Sequence, residues 1–167
     1  APFPLTFASG SGATLTDVDG HTYLDFLGDY TAGLLGHSER RVLDHVAEAL
    51  THNASVGGIH PAEATLARLM CERFGLDRVR FTNSGTEANL LAMTTAVLAT
   101  GRKKILVFSG GYHGSVFYFA SGNAPWNAPF DFVITPFNDE AAALEAIATH
   151  ASTLAAAVVE PMLGSGG

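Results

Sequence analysis

The sequence predicts an α/β protein: a mainly parallel sheet flanked by helices, preceded by a small antiparallel sheet. Two patterns predict it. From Val79 onward, short apolar runs alternate with longer stretches of helical periodicity, the order expected of parallel strands buried on both faces. Before Leu27, residues alternate with a period of two around an Asp19-Gly20 turn, as in a hairpin. A length of 167 residues, 47% of them hydrophobic, is enough for a packed core.

Residues 5–27 divide into short strands. Thr6-Phe7-Ala8 leads into Gly10-Ser11-Gly12, Ala13 to Val18 follows, and His21 to Leu27 resumes after the turn. At Ser38, a residue type suited to capping a helix, the period changes, and Val42, His45, Val46 and Leu50 recur at helical spacing. Pro61 opens a second helix whose apolar face is Leu66, Leu69, Met70 and Phe74, with Cys71 among them as a core thiol and Gly75 as its stop. Strands are then predicted over Val79–Thr82, Ile105–Ser109, Phe132–Pro136 and Ala156–Glu160. Helices fill Thr86–Ala99 and Asp139–His150, and Gly122–Pro129 reads as a loop.

Charged residues make up 15% of the chain, against about a quarter in an average domain. Either further sequence or a second subunit covers part of the apolar surface, or the chain is an alanine-rich domain with a large core. A net charge of −7, with no basic run longer than Arg102-Lys103-Lys104, argues against nucleic acid as the main partner. There is no apolar stretch long enough for a membrane span, and Ala1-Pro2-Phe3-Pro4 lacks the basic start of a signal peptide. The single Cys71 cannot form an internal disulfide. These features point to the cytoplasm. His21, His45, His52, His60 and His150 lack metal-ligand spacing, so no metal site is expected, and His37 reads as a residue that fixes the turn before the first helix.

Ligands of parallel sheets collect at the carboxyl ends of the strands, and three segments fall there. Asn83-Ser84-Gly85-Thr86-Glu87-Ala88-Asn89 marks a strand giving way to a helix, whose free N–H groups and positive dipole end attract an anion such as phosphate. A capping box with Ser84 as N-cap and Glu87 three residues on accounts for the same spacing. Gly110-Gly111-Tyr112-His113-Gly114 follows the next strand and either brings an aromatic ring over a planar ligand or is a plain glycine-rich turn. Val159-Glu160-Pro161, with Gly164, Gly166 and Gly167 beyond it, sets a carboxylate at a third strand end, facing either a ligand or solvent.

In this order and spacing the three segments resemble the class III aminotransferases of the fold-type-I pyridoxal-phosphate superfamily, as do Thr16-Asp17-Val18-Asp19-Gly20-His21 and Gly36-His37. The resemblance runs over essentially the whole chain. Ala1-Pro2-Phe3-Pro4-Leu5-Thr6 and Asp29-Tyr30-Thr31-Ala32-Gly33 make it greatest to β-amino-acid aminotransferases acting on β-phenylalanine, and next to glutamate-1-semialdehyde aminomutases. It implies pyridoxal 5'-phosphate as cofactor, an amino acid and a 2-oxo acid as substrates, and a homodimer with shared active sites. Ser84, Gly85 and Thr86 would hold the cofactor phosphate. Tyr112 would stack on the ring with His113 beside it, and Glu160 would stand near the ring hydroxyl and the Schiff base. Asp29 and Tyr30 would line the substrate pocket, and Gly57-Gly58-Ile59-His60 would reach the partner subunit's site. Residues 1–50 would belong to a small domain and 51–167 to the first part of a large cofactor-binding domain.

The family's Schiff-base lysine has no counterpart: the lysines here, Lys103 and Lys104, begin a strand at the end away from the site. The aspartate for the pyridine nitrogen is expected after Glu160, and a substrate-binding arginine before Ala1. The chain is therefore expected to be part of a longer enzyme and inactive alone. Two other readings stand beside transamination: an aminomutase that shifts the amino group within one molecule, and a non-catalytic fragment that keeps only the phosphate pocket.

Overall fold

The computed structural model describes residues 4–52 and 57–164, so Ala1-Pro2-Phe3 and Gly166-Gly167 lie outside the described residues. The chain forms two compact units, Ala1–Leu69 and Met70–Gly167.

In the first unit β1 (Phe7–Ser11), β2 (Thr14–Asp17) and β3 (Thr22–Leu24) form an antiparallel sheet in that order. The second turn is built on Asp17. Its buried carboxylate accepts from the N–H groups of Asp19 (3.0 Å) and His21 (2.9 Å) and from the Tyr23 hydroxyl (2.8 Å). Burial pushes the Asp17 carboxyl up, but these bonds outweigh it and hold it below the ordinary value. Atoms of Asp17, Asp19 and His21 lie within 4.8 Å of one another, a grouping not anticipated from spacing. Because Asp17 already accepts the turn's donors, the three serve the hairpin.

Beyond β3 the chain makes an unusual excursion. Gly28, Asp29, Tyr30 and Thr31 all have positive φ, between 52° and 73°. Left-handed backbone costs a non-glycine residue about 1–2 kcal/mol, so this turn persists only because its surroundings impose it. Helix α1 (Arg40–His52) follows. Ser38 is not its cap, contrary to expectation: its φ is +57° and its hydroxyl donates to the Gly10 carbonyl at 2.7 Å, while Leu43 N–H bonds Glu39 O.

Helix α2 (Pro61–Phe74) ends at Gly75, whose φ is +63°. Neither α1 nor α2 has a buried residue, and Val42, Val46, Leu50, Leu66, Leu69 and Phe74 stand exposed. Much of the apolar surface of these two helices is therefore exposed among the described residues. Cys71 is half-buried rather than a core thiol.

The second unit is a parallel sheet of three strands with β4 (Lys104–Phe108) between β5 (Asp131–Thr135) and β6 (Leu154–Ala157). Helices α3 (Gly85–Thr100) and α4 (Glu140–His150) accompany it. Gly101, in the left-handed region, closes α3, and the Asp139 carboxylate caps α4 by accepting from Ala142 N–H at 2.9 Å. Ile105 and Val107 point one way into a core with Met93, Phe117 and Phe119, bordered by Phe130, Phe132 and Ile134. Phe119 meets Phe132 edge-on at 4.9 Å between ring centroids.

The expected strand Val79–Thr82 is not formed. A strand exists only against a partner, and among the described residues no strand pairs with it. The last strand also stops earlier, at Ala157, so Glu160 stands beyond the ladder on an irregular extension. No described helix is long and apolar enough to cross a membrane.

Phe119→Ala removes a fully buried ring from the centre of this core and is expected to cost about 3–5 kcal/mol, read as a lower denaturant midpoint; a loss under about 1 kcal/mol would place the core elsewhere.

Candidate functional site

The amino end of α3 carries both features that the sequence left as alternatives. Ser84, extended at φ −155°, caps the helix: its Oγ accepts from Glu87 N–H at 3.1 Å, and Glu87 Oε2 accepts from Asn83 N–H at 2.9 Å. That satisfies the donors of Asn83 and Glu87. The N–H groups of Ser84, Gly85 and Thr86 lie between them and find no acceptor among the described residues. A Cβ built on Gly85 would meet no described atom within 4 Å, so the space that a side chain there would enter is open. The hydroxyls of Ser84 and Thr86 each accept one bond and keep a proton to donate.

The segment after β4 packs directly on this helix end. Gly110 (φ +87°) and Gly114 (φ +130°) turn the chain back on itself, with Gly110 N–H to Phe119 O, Phe119 N–H to Gly111 O and His113 N–H to Phe117 O all at 2.9 Å. A Cβ on Gly114 would fall 2.5 Å from Thr86 Oγ1 and 2.8 Å from Thr86 Cα, so only glycine fits. Two bonds fasten the contact: Ser115 N–H to Thr86 Oγ1 at 3.1 Å, and Asn89 Nδ2–H to the His113 carbonyl at 2.7 Å.

Glu160 braces the same loop from the other side. Its Oε2 accepts from Tyr112 N–H at 2.9 Å and its Oε1 from Gly164 N–H at 3.2 Å. Ser84, Thr86, Tyr112, His113 and Glu160, five residues named from the sequence, thus lie on segments joined by hydrogen bonds, with Gly85 between the first two. The Tyr112 ring is about half exposed, steadied edge-on by Tyr118 at 5.8 Å. His113 is buried, and its Nε2 has no hydrogen-bond partner. Burial holds the imidazole below its usual range, opposed but not reversed by the nearby Glu160 carboxylate. An open cleft of about 470 Å³ beside the assembly is lined by Phe108, Phe137, Asp139, Val159 and Pro161, and shares only Glu160 with it.

Asp29 and Tyr30 belong to the left-handed turn of the first unit, where Tyr30 is largely exposed. Both lysines are at the amino end of β4. The Lys104 ammonium donates to Asp131 at 3.0 Å and Lys103 N–H bonds Thr153 O, so neither stands near the loop that follows the strand. Asn89, Gly114 and Gly164 were not singled out individually. Asn89 carried a signal, being a polar, poor helix former inside a helix; the other two depend on contacts between distant segments.

The whole chain, residues 1–167, matches the family model of class-III aminotransferases. The chain belongs to that family. The β-phenylalanine transaminase of Variovorax paradoxus is 51% identical over 168 residues, covering 100% of this chain and 39% of that protein. The crystal structure of a β-phenylalanine aminotransferase from the same organism superposes with a TM-score of 0.96, again over 100% of this chain and 39% of that one. A transaminase with pyridoxal phosphate bound is 34% identical, with a TM-score of 0.85 over 96% of this chain and 41% of that one. A glutamate-1-semialdehyde 2,1-aminomutase of Thermomicrobium roseum is 35% identical over 98% of this chain and 42% of its own length. The chain thus spans about two fifths of the length of these relatives.

Gly114→Ala is expected to destabilise the fold by about 2 kcal/mol or more through the clash with Thr86; thermal denaturation indistinguishable from the parent would show that the loop and α3 are not in contact. His113 binds a proton less readily folded than unfolded. Its contribution is therefore complete above about pH 6.5 and falls as pH drops through that value towards the lower folded one. Urea midpoints at pH 7.5 and 5.5 should differ less in His113→Phe than in the parent, and equal differences would contradict a neutral buried His113.

Proposed function

We propose that this chain forms the phosphate-anchoring and ring-facing part of a pyridoxal-phosphate-dependent aminotransferase that uses a β-amino acid such as β-phenylalanine and a 2-oxo acid. The observation that carries the reading is the set of N–H groups at Ser84, Gly85 and Thr86 without acceptors among the described residues, beside a loop that presents an aromatic ring. Those donors and the positive end of α3 suit a dianionic phosphate, and the Ser84 and Thr86 hydroxyls add two more. The orphaned His113 Nε2 also fits a site that is completed by a bound group or by further chain.

When bound, pyridoxal phosphate supplies an electron sink for the bond broken at the amino-bearing carbon. The residues of this chain bind and orient. Ser84, Gly85 and Thr86 would hold the phosphate. Tyr112, its backbone fixed by Glu160, would stack on the ring. Glu160 would supply a carboxylate to the ring hydroxyl and the reacting centre, with His113 beside it as a neutral imidazole. Asp29 and Tyr30 line the substrate pocket. The base that moves the proton is a lysine outside these residues, so the 167-residue piece alone turns nothing over. The active form is a homodimer to whose sites Gly57-Gly58-Ile59-His60 of each subunit contribute. The identity to the Variovorax enzyme favours a β-amino donor, and the likeness to an aminomutase keeps an intramolecular amino shift as the second reading.

Full-length protein purified with pyridoxal phosphate should retain the cofactor's visible absorbance and deaminate β-phenylalanine only when a 2-oxo acid is added. Absence of bound cofactor would remove the reading, and turnover without 2-oxo acid would favour the mutase. Gly85→Leu should leave stability within about 1 kcal/mol of the parent and weaken cofactor binding at least about tenfold, because no described atom stands within 4 Å of a Cβ there.

A further inference from the structure

The residues read as facing the substrate, Asp29 and Tyr30, are on the most strained backbone of the described chain, four successive left-handed residues from Gly28 to Thr31. Strain of this kind is kept only where surrounding contacts over-determine it. Here the contacts converge on one pair of side chains. The Asp25 carboxylate accepts from Leu27 N–H and Gly28 N–H, both at 2.9 Å, which starts the turn, and is bound at 2.7 Å by His37 Nε2 from the far end of the loop. Both ends are also tied to the β1–β2 turn: Asp25 N–H to Ala13 O at 2.8 Å, His37 N–H to Gly12 O at 2.8 Å and Gly12 N–H to His37 O at 2.9 Å. The close fit extends to the glycines. A Cβ on Gly36 would fall 2.9 Å from Gly12 O, and one on Gly10 2.8 Å from His37 Cγ. The Asp25 side chain is 7% exposed and that of His37 26%, whereas Tyr30 is 81% exposed. The loop is therefore closed and fixed at its base and presents its tip outward.

We propose that Asp25 and His37 are positioning residues: their side-chain pair clasps residues 25–37 and fixes where the left-handed turn places Asp29 and Tyr30 for the amino donor. The inference rests on the reading that Asp29 and Tyr30 line the substrate pocket. Neither clasp residue touches substrate. Breaking the pair leaves the phosphate-binding residues of the second unit intact and lets the turn relax to right-handed backbone, which moves both side chains.

The test is steady-state kinetics of the full-length holoenzyme. His37→Leu should raise KM for the amino donor between about tenfold and a hundredfold, the cost of a displaced binding group, while cofactor affinity and visible absorbance stay at parental values. His37→Gln, which can still donate to Asp25, should recover most of the loss. Should His37→Leu not accumulate as folded protein, Asp25→Asn, of nearly the same volume, is measured for the same KM change. Unchanged donor KM in a folded variant would overturn the clasp, and so would equal loss of kcat, donor KM and cofactor binding, the mark of a general folding defect. Tyr30→Ala separates the two levels. If it raises donor KM and the clasp variants do not, the pocket reading stands and the clasp falls; if neither Tyr30→Ala nor Asp29→Ala moves KM, the pocket reading itself fails.

Discussion

The site in the second unit starts from backbone N–H groups at the amino end of α3 that find no acceptor among the described residues. The first turn of any helix has donors that its own carbonyls cannot reach. In α3 the Ser84–Glu87 cap satisfies the donors of Asn83 and Glu87 and leaves those of Ser84, Gly85 and Thr86 without an acceptor among the described residues. Because they project from a helix end, they add to its positive dipole. The glycine at 85 is not demanded by the protein's own packing: its φ is outside the left-handed region and a side chain there would touch nothing. On the proposed reading its use is to leave room for the phosphate.

Gly114 has the opposite reason. There the loop after β4 lies so close to Thr86 that a single methyl would collide. That approach turns a helix end and a neighbouring loop into one surface. Asn89 ties the loop down from the helix side and Glu160 from the β6 side, so Tyr112 is carried on a backbone held at both flanks. The first unit uses the same logic with a different element. The base of a strained turn is tied to one buried carboxylate, Asp25, held below the ordinary carboxylate range by the bond from His37 and by the N–H groups from which it accepts.

What could be read from the sequence was whatever depends on local pattern. Parallel strands at 105–109 and 132–136 were placed within a residue of β4 and β5, because a short continuous apolar run between helical stretches buries both its faces most simply as a central strand. The helix starting at Pro61 and stopping at Gly75 follows from the chemistry of those two residues. Residues 79–82 have the composition of a strand but no neighbour to pair with, and pairing is not encoded locally. Ser38 looked like a cap, and a carbonyl 28 residues away took its hydroxyl instead. In the candidate site, the residue types were legible and the reason for Gly114 was not, since it is a contact across segments. Nothing in Asp29-Tyr30-Thr31 foretells three left-handed residues. The side chains that close the loop around them, Asp25 and His37, lie outside the turn.

The phosphate is the group on which the cofactor site depends. Equilibrium binding of pyridoxal phosphate and of its dephosphorylated form, pyridoxal, to the full-length apoprotein isolates that interaction. Two charge-assisted bonds to backbone N–H groups should favour the phosphorylated form by at least about a hundredfold. Equal affinities would mean that the donors of Gly85 and Thr86 do not face the ligand, and the assignment of this helix end would be wrong.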